Sequence, residues 1–350
     1  QGNGNYRDVN QNRRSDVLFN PKVAEFNIRA FYSLIQADGY NPLIIKGSKF
    51  TVPVEHQDEI LKVINKEDLR ELFLNPFSLG ELINSITDHN NLSLDIAMEE
   101  LLNLVLQNAG QETQADFHEG YWTDHWTYNL DLIESYLSVF PDKKEYLLFE
   151  DCSYSFFDSA ICVNPREKKY VISNEKPIQL NAISENDTKK AMIASRANTP
   201  NLLRIQNGKG EIYHTSLISK LILMVLIKFS TFDPWGMGIE MEAGRPGWYD
   251  AMNGLPGLFG SSMPETFELK RLLEFLLSAS EEFPSHSPKI PLEANDLLEA
   301  VLHNLKVYLK NENDDRDFIY WDSVSSAREK YRYQIRFGFE GQENSISLKE

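Results

Sequence analysis

The stretch LISKLILMVLIKF, from Leu217 to Phe229, is apolar apart from Ser219, Lys220 and Lys228. It is too short to cross a bilayer, which takes about 20 apolar residues, so it reads as a helix buried inside a protein core. Hiding such a helix requires a large interior. The 350 residues, 42% hydrophobic and 11% aromatic, can supply one, as a single big domain or as two.

Amphipathic helices are the recurring pattern around it. Val23, Phe26, Ile28, Phe31, Leu34 and Ile35 predict a helix over 21–36, stopped by Asp38-Gly39-Tyr40-Asn41-Pro42. A β-like piece follows over 43–54, then helices over 56–65, 78–89 and 92–109, the last with Ile96, Met98, Leu101, Leu102, Val105 and Leu106 on its inner side. Trp126, Leu130, Leu132, Ile133, Tyr136 and Leu137 predict a helix from Asp124 onward. Ser262 and Glu265, with Pro264 between them, form a capping-box signature before a helix whose predicted buried face is Phe267, Leu269, Leu272, Leu273 and Leu276. Residues 291–309 repeat the pattern with Leu292, Leu297, Leu298, Val301, Leu302, Leu305, Val307 and Leu309, and one more helix is expected over 318–330. Between Leu147 and Tyr213 the pattern is irregular and β-like, with a hairpin expected to pair 160–163 with 169–173 across Asn164-Pro165-Arg166-Glu167. Asn207-Gly208-Lys209-Gly210 is a turn and lacks the spacing of a phosphate loop. The polar first stretch reads as a solvated terminus, and the polar 331–350 does not read as the finish of a domain.

With 35 basic and 52 acidic residues the net charge is −17. That field repels nucleic acid and anionic membranes, so neither is expected as a partner. A phosphate-using site would need a local cluster of donors. Two cysteines, Cys152 and Cys162, do not make a disulfide scaffold and suit a reducing, cytoplasmic setting. The chain starts at Gln1, within a motif, and a piece of a longer polypeptide is expected.

The chemistry concentrates in GRPGWYDAMNGLPG, from Gly244. Trp248, Tyr249 and Asp250 lie between Pro246-Gly247 and Gly254, so a turn presents them. An acid beside two aromatic rings suits sugar cleavage: the rings offer a flat apolar face to a pyranose, and partial burial raises the acid's pKa toward neutrality. The plain alternative is a turn and helix cap whose Trp and Tyr are core. Glu240 and Glu242 precede the turn and are expected to be solvated, with Glu242 a weak candidate for a second carboxylate. His118, Glu119, Asp124 and His125 match no zinc-helix spacing, and no metal is expected.

GWYDAMNG resembles the G-D-W-N-D-G-M-N turn of the inverting sugar phosphorylases of glycoside hydrolase family 94, and especially their larger relatives acting on β-1,3- or β-1,4-linked gluco-oligosaccharides. The resemblance implies that Asp250 is the general acid and that Trp248 lines the sugar site. The family's first Asp and its Asn are Gly247 and Tyr249 here. Tyr6, Arg7, Asp8 and Gln11 are similar to the family's Y-R-D-x-x-Q-D signature, whose last Asp is Asn12 here; Arg7, Asp8 and Gln11 would hold the sugar. Asp124, His125 and Trp126 resemble the S-D-D-H-L-W-L segment, implying that they face the cleft. The implied fold is an (α/α)6 toroid, mainly α, of which this chain would be part, with β-containing insertions near 40–114 and 147–213. The family's often homodimeric state is implied only by analogy.

An inverting hydrolase needs two carboxyls, whereas an inverting phosphorylase needs one acid because phosphate is the nucleophile. A single well-presented Asp250 fits the second case. The expected reaction is reversible phosphorolysis of a β-gluco-oligosaccharide to α-glucose 1-phosphate, with inorganic phosphate as co-substrate and no other cofactor. The family's phosphate-gripping groups have no match before Glu350 and would lie beyond the chain end. An inverting hydrolase on the same toroid, and a non-catalytic sugar-binding remnant, are the alternatives.

Overall fold

The computed structural model describes residues 3–64, 68–87, 97–117, 126, 128–179, 182–240 and 261–349. The chain is mainly helical, with small antiparallel sheets, and divides into two compact units. One comprises Gln1–Gly4 and Ile44–Asp116, the other Asn5–Leu43 and Phe117–Glu350.

In the smaller unit, strand Ile44–Thr51 pairs antiparallel with Gly110–Asp116, its register shifting between Ile45 and Gly47. Helices Val54–Ile64, Asp68–Phe73, Leu79–Thr87 and Met98–Gln107 lie between the two strands in sequence. Leu82 and Ile86, and Leu101 and Val105, are four apart, so each pair lies on one helix face. Both pairs are buried with Phe50, Ile60, Phe73 and Phe77 in one apolar core. Buried Gln57 donates to the carbonyls of Val52 (3.0 Å) and Phe73 (3.2 Å), satisfying its amide inside that core. Ser78 and Glu81 form a reciprocal capping box: Glu81 N–H donates to Ser78 Oγ, and Ser78 N–H donates to the Glu81 carboxylate. Lys49 and then these Ser78 contacts lower the Glu81 pKa to about 2.

The larger unit is built around Leu217–Phe229, whose residues from Leu217 to Lys228 are buried except Ile222. Its neighbours include the long helices Met263–Glu282 and Leu292–Tyr308, and the latter runs against Arg316–Gln334. Leu223, Leu226 and Ile227 share a core with Ala294, Leu297, Val301, Val324, Tyr331 and Phe339. Lys220 lies inside this core, and among the described residues no carboxylate partners it. Its amine donates to the carbonyls of Ser155 (2.5 Å) and Ile35 (3.3 Å) and sits 3.5 Å from the Phe156 ring centroid. Burial lowers its pKa well below the ordinary lysine value.

Several expectations are corrected. The first stretch is not a frayed terminus: Tyr6–Arg13 is a helix with Tyr6 and Asn10 buried. The predicted 160–163/169–173 hairpin does not form; Ile161–Val163 pairs with Ile183–Glu185, and Tyr170–Ser173 pairs with Lys176–Gln179. A short helix, Arg166–Lys169, occupies the supposed turn, and Arg166 N–H and Nε donate to Glu329. Residues 331–349 complete the core: Tyr331, Ile335 and Phe339 are buried, and strand Glu343–Ser345 pairs with Lys289–Pro291. Gly338 makes this closure possible. Its φ is +128°, and a Cβ there would fall 2.3 Å from the Arg204 carbonyl oxygen. Phe267 (65% exposed), Leu292, Leu302, Val307 and Leu309 are exposed, because the faces of their helices are set by Leu269–Leu272 and by Ala294–Leu297–Val301.

Candidate functional site

The Tyr6–Arg13 helix starts where it does because Asn5 caps it, its side chain accepting from the N–H groups of Arg7 (2.9 Å) and Asp8 (3.4 Å). Tyr6 and Asn10, four apart, turn inward. Arg7, Asp8 and Gln11 fall on another side at i, i+1 and i+4 spacing. Arg7 Nε lies 3.5 Å from Asp8 Oδ1, with the Asp8 side chain 62% exposed. The three residues implied to hold sugar therefore share one accessible helix face.

The inward side of this helix meets the second segment that the sequence singles out. The Tyr6 hydroxyl is 3.0 Å from the Phe31 carbonyl oxygen and 3.1 Å from Asn129 Oδ1, and Asn10 Nδ2 donates to that same Asn129 oxygen. All three side chains are fully buried. One turn of chain outward, Arg14 donates to Asp131 Oδ2 (2.9 Å). Arg271, from the helix that follows the GWYDAMNG segment, donates to Asp131 Oδ1 (2.8 Å), to Glu268 (3.1 Å) and to Glu134. Burial alone would lower the Arg271 pKa, but the Glu134, Asp131 and Glu268 carboxylates outweigh it and hold the guanidinium firmly charged. Glu268, by contrast, has its pKa raised, because its burial outweighs the pull of Arg271. Segments 6–14, 129–134 and 268–271 are thus tied by hydrogen bonds spanning 117 to 140 residues of sequence.

Trp126, implied by the resemblance to face the cleft, lies in the interior of the larger unit. It is 2% exposed and packs with Lys228, whose Nζ is 5.5 Å from the Trp126 ring centroid and 4.8 Å from that of Tyr40. Asp124, His125, Trp248, Tyr249, Asp250 and Glu242 lie outside the described residues.

Glu240 is the residue that sequence reading placed wrongly. Expected to be solvated, it is 1% exposed, accepts from Trp321 Nε1 (2.8 Å), and lies 3.9 Å from the equally buried Arg328. No local signal marks it, since Trp321 and Arg328 lie 81 or more residues downstream. A second buried charge cluster also went unread: Asp158, fully buried, lies 2.6 Å from Lys189 Nζ and 2.8 Å from Arg196 NH1. Among the described residues, no group of three or more His, Cys, Asp or Glu side chains is arranged to hold a metal ion. None of the helices of the described residues is long and apolar enough to cross a membrane. The chain matches no protein-family model, and no curated protein matches it.

Proposed function

We propose that this chain forms part of an (α/α)6-type catalytic domain that cleaves a β-linked gluco-oligosaccharide by phosphorolysis with inversion. Asp250 protonates the glycosidic oxygen while inorganic phosphate attacks the anomeric carbon from the opposite face. The bond to the leaving sugar breaks, that sugar takes the proton from Asp250, and α-glucose 1-phosphate is released. Arg7, Asp8 and Gln11 hold the sugar by charge-assisted and neutral hydrogen bonds, a task for which the guanidinium fork and carboxylate are suited. Trp248 and Tyr249 offer apolar faces to the ring.

The observation that carries this reading is the joint at Asn129 and Asp131. Segments 6–14, 129–134 and 268–271 are drawn together by buried and charge-assisted hydrogen bonds; the first contains, and the other two follow in sequence, stretches that resemble different parts of one sugar-phosphorylase site. Phosphate-dependent release of glucose 1-phosphate from β-1,3- or β-1,4-gluco-oligosaccharides tests it. Asp250→Asn removes most turnover and leaves sugar binding nearly intact; equal loss of both would sink the acid assignment. Sugar release that proceeds at full rate without phosphate selects hydrolysis instead.

A further inference from the structure

Within the larger unit, a cavity of about 460 Å³ lies between residues 36–38, strand Ile161–Val163 and the C-terminal end of helix Arg316–Gln334. Arg7, Asp8, Gln11 and Trp126 do not line it. Its size falls within the roughly 300–1,000 Å³ typical of small-molecule sites. Phe157, Leu203 and Ile335, all buried, give it an apolar wall. Asn164 and Ser184 add polar edges, the Ser184 hydroxyl donating to Asn164 Oδ1 at 2.8 Å.

The charges around this cavity balance, with four acidic and four basic side chains in the lining. Several are already satisfied within the protein: Asp158 by Lys189 and Arg196, Glu185 by Lys190 (2.9 Å), and Glu329 by Arg166 (3.0 Å). Equal numbers of acidic and basic side chains leave the lining itself without net charge. At its edge Tyr333 is 66% exposed, yet its ring is held by the Arg336 guanidinium, 3.8 Å from the centroid. An exposed aromatic ring fixed beforehand loses little freedom when a ligand stacks on it.

An apolar wall, hydroxyl-binding edges, balanced charge and a fixed aromatic ring suit an uncharged ligand with an apolar face and a hydroxylated edge. A pyranose ring is such a molecule. We propose that this cavity is a second carbohydrate site, separate from the Arg7–Asp8–Gln11 face, which binds a gluco-oligosaccharide end with Tyr333 as its stacking platform. The choice of glucosyl units rests on the function proposed above; the site rests on the cavity.

Cys162 lines the cavity and is partly exposed, and Cys152 is the other thiol of the chain. In a Cys152→Ser protein, the rate of Cys162 modification by a thiol reagent therefore reports occupancy. Cello- or laminari-oligosaccharide at about ten times its Kd slows that rate roughly tenfold and saturably. Tyr333→Ala, a change at an exposed position checked by an unaltered melting temperature, abolishes the protection. Three results would overturn the proposal: no protection at any oligosaccharide concentration, full protection retained in Tyr333→Ala, or equal protection by inorganic phosphate alone. Glucose 1-phosphate release measured on the same protein separates the two readings. Turnover with Cys162 unprotected removes the second site and leaves the phosphorylase; protection without turnover does the reverse.

Discussion

Replacing Asn129 by Ala tests the joint on which the functional reading depends. In the native protein Asn129 Oδ1 serves two buried groups, the Tyr6 hydroxyl and the Asn10 amide. The Tyr6 hydroxyl keeps the Phe31 carbonyl as an acceptor after the change, so its loss is a single neutral hydrogen bond, about 0.5–1.5 kcal/mol. Asn10 is fully buried and loses the acceptor of its amide, a desolvation penalty of about 1–3 kcal/mol. The sum is about 1.5–4.5 kcal/mol. At roughly 2 °C per kcal/mol for a chain of this size, the melting temperature falls by about 3–9 °C. Scanning calorimetry on Asn129→Ala measures it, with Gln11→Ala as the control, because Gln11 is exposed on the same first helix and surface changes stay within about 0.5 kcal/mol. A melting temperature for Asn129→Ala within about 1 °C of the parent would refute the claim that this hub ties the first helix to the 129–139 helix. The structural support for the sugar-phosphorylase reading would go with it.

Three further perturbations probe parts of the structure that sequence reading missed. Glu240→Gln keeps an acceptor for Trp321 Nε1 but removes the negative charge beside buried Arg328; breaking a buried pair this way costs about 3 kcal/mol, read as a lower urea midpoint, and an unchanged midpoint contradicts it. Gly338→Ala puts a Cβ against the Arg204 carbonyl at 2.3 Å and the Gly208 nitrogen at 2.9 Å, so soluble yield or stability drops by at least about 2 kcal/mol; a wild-type melting curve rules out the close packing. Lys220 has its pKa lowered by burial in the folded state, so between that value and its unfolded value near 10.5 the unfolded chain binds more protons. Stability therefore rises with pH through that window, and Lys220→Met flattens the rise. Equal slopes in urea titrations of the two proteins would show that Lys220 is not the source.

Much of the helical framework was legible from spacing alone. Leu217–Phe229 was readable as buried because it has no polar face, and Leu79–Thr87 and Met98–Gln107 because their apolar residues recur at three and four. Periodicity served less well at the polar ends of the chain. Tyr6–Arg13 carries a single large apolar residue, and its inward side is completed by Asn10, whose burial depends on Asn129 far downstream. Strand Ile161–Val163 offered a nearby partner in sequence but pairs with Ile183–Glu185, since the intervening Arg166 is drawn away to Glu329. The Ser78–Glu81 capping box was written in the sequence and went unread.

A mainly helical protein with a large apolar interior was written into the chain, because side-chain periodicity and apolar content act locally and need no partner. The resemblance marked Arg7, Asp8 and Gln11 as one set, and only the Tyr6–Arg13 helix put them on one face. Only the tertiary structure decided which polar groups are buried. Glu240, Asp158 and Asn129 look in the sequence like ordinary solvated residues, yet each lies in the interior against partners contributed from distant segments. Desolvating such a group is unfavourable unless its partners are already in place. No short stretch of chain contains those partners, so the burial of these groups is a property of the assembled fold.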